Sequence, residues 1–201
     1  MVPNSQAEKY STNDVPIELI FQIRELYGRT TYSHKVHEKC ADIYFQRQQV
    51  IKIIQILLAA LTTGSLLIAI FGGGKIGTIM GAACSTILFG LNMYMKDYDL
   101  GEISQKHSNI ASRLWDVRES YLSILTDLSS ARISLEEASQ KRDELQEKLS
   151  SIFYNSPRTT KSAYKNAQKA LKLNEEMTFT NEEIDQLLPE AFRTSNGHTN
   201  G

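Results

Sequence analysis

The sequence predicts an all-α membrane protein: a two-span transmembrane helical hairpin with long cytoplasmic helices forming a coiled coil. Charge segregation, paired apolar stretches of bilayer length and a sustained heptad repeat predict it. The 201 residues hold 22 Lys plus Arg and 23 Asp plus Glu. From Ile53 to Met95 there are 43 residues and one charge, Lys75, so the other 158 carry the remaining 44. Soluble domains do not separate charge in this way. The near-balanced total argues against nucleic acid as a partner, which requires a basic excess. Two Cys exclude a disulfide scaffold.

The hairpin follows from lengths. Lys52 and Lys75 bracket 22 uncharged residues, and Lys75 and Lys96 bracket 20 more. About 20 helical residues cross a hydrocarbon core of about 30 Å. Gly72-Gly73-Gly74 breaks the helix between them. So short a loop makes the two spans a helical hairpin, because backbone groups in lipid need internal partners. No early apolar stretch reads as a signal peptide. Lys35, Lys39, Arg47 and Lys52 precede the first span, and Lys96, Lys106 and Arg113 follow the second. The expected location is therefore the inner (plasma) membrane, with both termini cytoplasmic.

The chain divides into a flexible N-terminus (1–15), a cytoplasmic helix (16–52), the first span (53–71), an external loop (72–75), the second span (76–95), a coiled-coil helix (96–152) and a C-terminal part (153–201) of amphipathic and short helices with a disordered tail. The first helix starts after Asn13-Asp14, with Pro16 in its first turn, and is weakened by Gly28, Thr30 and Thr31. Thr180 and Glu183 form a capping box for a last helix before Pro189.

Small residues mark the packing surface of the spans. Gly77 and Gly81 are four apart, Ser85 and Asn92 extend their face, and Thr62 and Ser65 lie on the first span. Such residues let helices approach closely, or line a weakly polar pore once several hairpins assemble. No Asp, Glu, Arg or His lies within either span, which disfavours a proton relay. Two spans cannot make a monomeric channel, so homo-oligomerisation is expected.

Beyond the second span an apolar seam steps by four and three: Ile110, Leu114, Val117, Tyr121, Ile124, Leu128, Ala131, Leu135, Ala138, Arg142, Leu145, Leu149 and Ile152. Arg142 is the one offender. This period specifies a left-handed coiled coil, within one chain or between subunits. With no Pro between Asp97 and Ile152, one continuous helix is expected.

Chemistry is scarce. Gly72-Gly73-Gly74-Lys75-Ile76 lacks the Ser or Thr a phosphate loop needs. His34, His37, Glu38 and Cys40 are clustered on the first helix, with His34, His37 and Glu38 on one face, without a strong metal spacing. No nucleophile and base pair stands out, so no enzyme activity, cofactor or metal is expected.

His34-Lys35-Val36-His37-Glu38-Lys39-Cys40-Ala41-Asp42, feeding a two-span hairpin and then long cytoplasmic helices, resembles the SLATT domain family of bacterial two-span effectors. The resemblance covers roughly residues 15 to 190 by layout. It implies an oligomeric, pore-forming or membrane-disrupting effector in an anti-phage conflict system. It also implies a nucleotide-sensing or nucleotide-synthesising protein partner. The alternative is a non-conducting membrane-anchored coiled-coil scaffold that recruits a soluble partner.

Overall fold

The computed structural model describes residues 17–72 and 75–194, and among these every regular segment is helical. The expected start at Asn13-Asp14, the centre of the glycine loop and the tail beyond Thr194 lie outside the described residues.

Helix α1 runs unbroken from Ile17 to Phe71, 55 residues or about 80 Å. Gly28 does not interrupt it. Thr30 and Thr31 turn their hydroxyls onto the Leu26 and Tyr27 carbonyls at 2.7 and 2.8 Å, so their polar groups are satisfied within the helix. Helix α2 spans Lys75–Asp97 and packs back along the second half of α1. Asp99 then caps α3 (Leu100–Ser129), accepting from the Glu102 backbone N–H at 2.9 Å. Opposite this start, Gly101 abuts the Gln48 side chain of α1, where a Cβ would collide.

The continuous helix expected over 96–152 is corrected in two places. Tyr98 and Asp99 separate α2 from α3, and the chain reverses between Ser129 and Leu135 to form α4 (Leu135–Tyr154). The reversal has local causes. Ala131 takes a left-handed backbone conformation with φ 52°, and the Arg132 N–H donates to the Asp127 carbonyl at 2.9 Å, closing the C-terminus of α3. Ser134 and Glu137 then form a reciprocal capping box that starts α4. Pairing inside the box holds the Glu137 carboxyl below its usual pKa.

The heptad seam therefore closes on its own chain. Leu114, Val117, Tyr121, Ile124 and Leu128 of α3 are buried with Ala138, Leu149 and Ile152 of α4 and Ile23 of α1; Leu135 and Leu145 pack at the edge. Arg142 sits on the rim of this core, donating to Gln22 of α1 at 2.6 Å and to Ser139 at 2.8 Å. Its polar head thus has partners although it occupies a seam position.

Helix α5 (Lys161–Lys172) starts from a Thr160 cap and lies against α1, burying Ala163 and Ala167 beside Val36 and Cys40. Thr180 and Glu183 cap the short helix α6 (Asn181–Leu187), and a 3-10 turn follows at Glu190–Phe192.

Candidate functional site

The seam between the spans is built from alternate steps of four and three. On α1 the inward positions are Ile51, Gln55, Leu58, Thr62, Ser65 and Ala69; on α2 they are Gly77, Gly81, Cys84, Leu88, Leu91 and Met95. Gly77 and Gly81 are buried against Ser65. A Cβ on Gly77 would stand 2.8 Å from the Ser65 carbonyl oxygen, so the backbones are as close as this position permits. At Gly81 the nearest atom is the Ser65 Cβ at 3.4 Å, which leaves room for a methyl group. The hydroxyls of Thr62 and Ser65 donate to the Leu58 and Leu61 carbonyls of their own helix. Farther along, Gln55 Nε2 donates to Asn92 Oδ1 at 2.9 Å, the one side-chain hydrogen bond between the spans among the described residues.

Ser85 lies elsewhere. It is exposed and bonds the Ala82 carbonyl of its own helix at 3.0 Å. The inward path goes from Gly81 to Cys84 and Leu88, because helices crossing at a shallow angle follow a mean step of 3.5 residues rather than 4. Thr63 and Thr86 also point outward, their hydroxyls tied to the carbonyls of Ala59 and Ala82.

A second concentration of polar groups lies where α1, α3 and the segment after α5 meet, on the water side of the spans. His37 and His107 are both buried, and their Nδ1 atoms are 3.0 Å apart. One ring must donate and the other accept, so the pair is compatible with two neutral imidazoles. Burial foremost, then His107 and His34, push the His37 pKa down to about 4. Burial also lowers that of His107. Tyr44 stacks on His107 with ring centroids 5.6 Å apart. His107 Nε2 has no hydrogen-bond partner among the described residues, whichever tautomer it adopts. His34 Nδ1 donates to the Ala111 carbonyl at 2.9 Å, and its ring meets Trp115 edge-on.

Next to this joint, Lys35 is nearly buried between two carboxylates, Glu38 and Glu176, each at 2.9 Å. Burial acts to lower the Lys35 pKa, but the two carboxylates outweigh it and the net shift is upward. Lys39 adds a contact to Glu176 at 3.0 Å. The two lysines hold the Glu176 carboxyl at about 2. Arg118 lies flat on Trp115 at 3.8 Å and donates to Met177 Sδ. The segment after α5 is thus fastened across α1 and α3.

His34, His37, Glu38 and Cys40, clustered in sequence, each have a different main partner here, although His34 Nε2 also lies 3.6 Å from Glu38 Oε2. His37 bonds His107, His34 bonds α3 backbone, Glu38 pairs with Lys35, and Cys40 packs on α5. Among the described residues no three His, Cys, Asp or Glu side chains are grouped to hold a metal ion. Sequence reasoning missed His107 and Glu176. His107 was within reach, since it stands three residues before Ile110 and continues the seam inward. Glu176 carried no such signal: its partners are more than 130 positions away.

Fold and site together define a two-span helical membrane protein, whose first span continues directly from a water-facing helical bundle. In the most apolar 18-residue stretches of Ile17–Phe71 and Lys75–Ser129 only 6% and 11% of the residues are buried within the chain. Residues 19–183 match the family described as SMODS and SLOG-associating 2TM effector domain family 4, and the chain belongs to this SLATT family. No curated protein and no solved structure matches it.

Proposed function

We propose that the protein is an oligomeric membrane effector of a bacterial anti-phage conflict system, forming a pore or disrupting the membrane when a nucleotide-sensing or nucleotide-synthesising partner signals. It would sit in the inner membrane with both termini in the cytoplasm. Membership of a two-span effector family carries the reading. The outward faces of the spans support it. They are apolar enough for lipid, yet Thr63, Ser85 and Thr86 place hydroxyls on them, where neighbouring hairpins could meet or water could pass. The close packing at Gly77, Gly81, Thr62 and Ser65 would keep each hairpin rigid as subunits assemble, with Gln55 and Asn92 pinning its cytoplasmic end.

The test is expression in bacteria carrying a potential-sensitive dye, alone and with neighbouring nucleotide-sensing or nucleotide-synthesising genes. The reading predicts depolarisation, lost in Gly77→Leu and reduced in Ser85→Leu with Thr86→Leu. A membrane-inserted full-length chain that leaves the potential intact under every combination would instead favour the non-conducting scaffold.

A further inference from the structure

Helix α5 is the most unevenly charged helix of the molecule. Its sequence, KSAYKNAQKALK, holds Lys161, Lys165, Lys169 and Lys172 and no acid. Ala163, Ala167 and Ala170 are buried, which leaves all four lysines exposed on the outer side.

Two contacts fix its direction. Near its start the Tyr164 ring lies 5.4 Å from that of Tyr32. Near its end Lys169 shares a groove with Asp42, Ile43 and Gln46. Helix α5 therefore runs toward the bilayer alongside α1. Gln46 is seven residues, or about 10 Å, before Ile53, where the uncharged span begins. Lys172, three residues beyond Lys169, closes about 5 Å of that gap. The headgroup layer adds about 5–7 Å on each side of the hydrocarbon core. The tip of α5 therefore reaches headgroup level, and there it carries Leu173, 74% exposed.

Of the acidic residues that follow, Glu176 lines the same groove as Lys169 but is engaged elsewhere. Glu175 adopts φ 51°, the Glu176 N–H donates back to the Ala170 carbonyl at 3.1 Å, and the Glu176 carboxylate returns to Lys35 and Lys39. Arg47 and Lys52 are exposed on α1 just before the first span and Lys96 just after the second, where Asp97 and Asp99, also exposed, partly offset Lys96. Asp42, beside Lys169, partly offsets that lysine. Lys172 and Leu173 are left as the leading pair.

We propose that the tip of α5, Lys169, Lys172 and Leu173, binds the headgroup layer of anionic phospholipids on the bundle side of the membrane, with Arg47, Lys52 and Lys96 completing a basic collar. The attraction is electrostatic, with the Leu173 side chain entering the interface beside it. The proposal rests on residues 53–95 crossing the bilayer and is independent of conductance.

The full-length protein is placed in nanodiscs of phosphatidylcholine alone or mixed with phosphatidylglycerol, and amide exchange is followed over residues 161–173. Exchange is expected to slow in the anionic discs by on the order of fivefold per contacting lysine. The slowing should vanish at high salt and in the exposed-site variant Lys169→Gln/Lys172→Gln. Inorganic phosphate added to phosphatidylcholine discs should not reproduce it. Equal exchange in the two lipids would overturn the proposal and leave α5 as a solvated face. Undiminished slowing in the double variant, or the same slowing with free phosphate, would overturn it too.

Discussion

The spans and the bundle are joined by the same α1 helix and packed by the same four-three spacing, yet their points of closest packing are made of opposite residues. The bundle seam is bulky: Leu114, Val117, Tyr121 and Ile152 are wholly buried. The hairpin seam mixes Leu58, Leu88 and Leu91 with small and polar residues, with Gly77 and Gly81 against Thr62 and Ser65 at its closest approach and the Gln55–Asn92 hydrogen bond farther along. The difference follows from the surroundings. In water, removing large apolar side chains from solvent drives packing. In lipid the outside is as apolar as the inside, so association depends on close backbone approach and on polar groups finding partners. Many large side chains of the spans accordingly face outward: Leu57, Ile68, Ile79 and Phe89 are exposed.

The sharpest way to break this contrast is to make the same truncation on each side of it. Leu114→Ala, in the bundle core, should cost about 2–5 kcal/mol, read as loss of amide protection across α3 and α4 in lipid nanodiscs. Leu57→Ala, on the lipid face, should change that protection little. Comparable losses from the two would mean that the spans are packed as a soluble core is.

Acid should act on the bundle alone. His37 is held neutral when folded, its pKa lowered to about 4, so its contribution is present above the unfolded value near 6.5 and is lost as pH falls from there toward 4. His34 on its own helix, His107 on α3, and Tyr32, Tyr164 and Arg158 around the groove before α5 are titratable or charged groups about it, and none of them is a carboxylate. The loss should reach up to about 3 kcal/mol, read as bundle opening in an exchange-versus-pH series. His37→Gln should flatten that part of the series, while the hairpin stays protected throughout.

In the hairpin the ordering of glycine variants sharpens the contrast. Gly77→Ala should loosen the helix pair by about 1–3 kcal/mol, because its methyl group meets the Ser65 backbone. Gly81→Ala should cost less, since its neighbour is a side-chain carbon at 3.4 Å. Disulfide trapping between engineered cysteines on the two spans measures both.

The smallest expected effect is at the reversal between α3 and α4. Ala131→Gly should stabilise the bundle by about 1 kcal/mol by relieving the left-handed backbone, whereas Ser134→Ala should cost about 1 kcal/mol. Thermal melting of the bundle reads both.

Which parts of this fold could be read in advance divides along the same boundary. The spans announce themselves through the missing charges between Ile53 and Met95, because a bilayer imposes length and polarity on any segment that crosses it. The bundle seam was equally visible in steps from Ile110 to Ile152, but its folding back was not, since an intramolecular antiparallel seam and a long intermolecular one have the same period. The deciding signal was the local pair Ser134 and Glu137, a capping box set in the middle of the repeat. In the hairpin, counting by fours carried the face from Gly81 to Ser85, where the shallow crossing takes it to Cys84. The fastening of Glu176 by Lys35 and Lys39 depends on long-range packing, and no local pattern encodes it.

Residues 53–95 crossing the bilayer twice, with both flanking regions on one side, is the central claim. It is tested most directly by labelling single-cysteine variants, made with Cys40 and Cys84 replaced by Ala, with a membrane-impermeant maleimide in intact bacterial cells. Lys75→Cys should label in intact cells, whereas Arg29→Cys and Lys165→Cys should label only after the membrane is opened. Labelling of either of the latter in intact cells, or of Lys75→Cys only after lysis, would contradict the account.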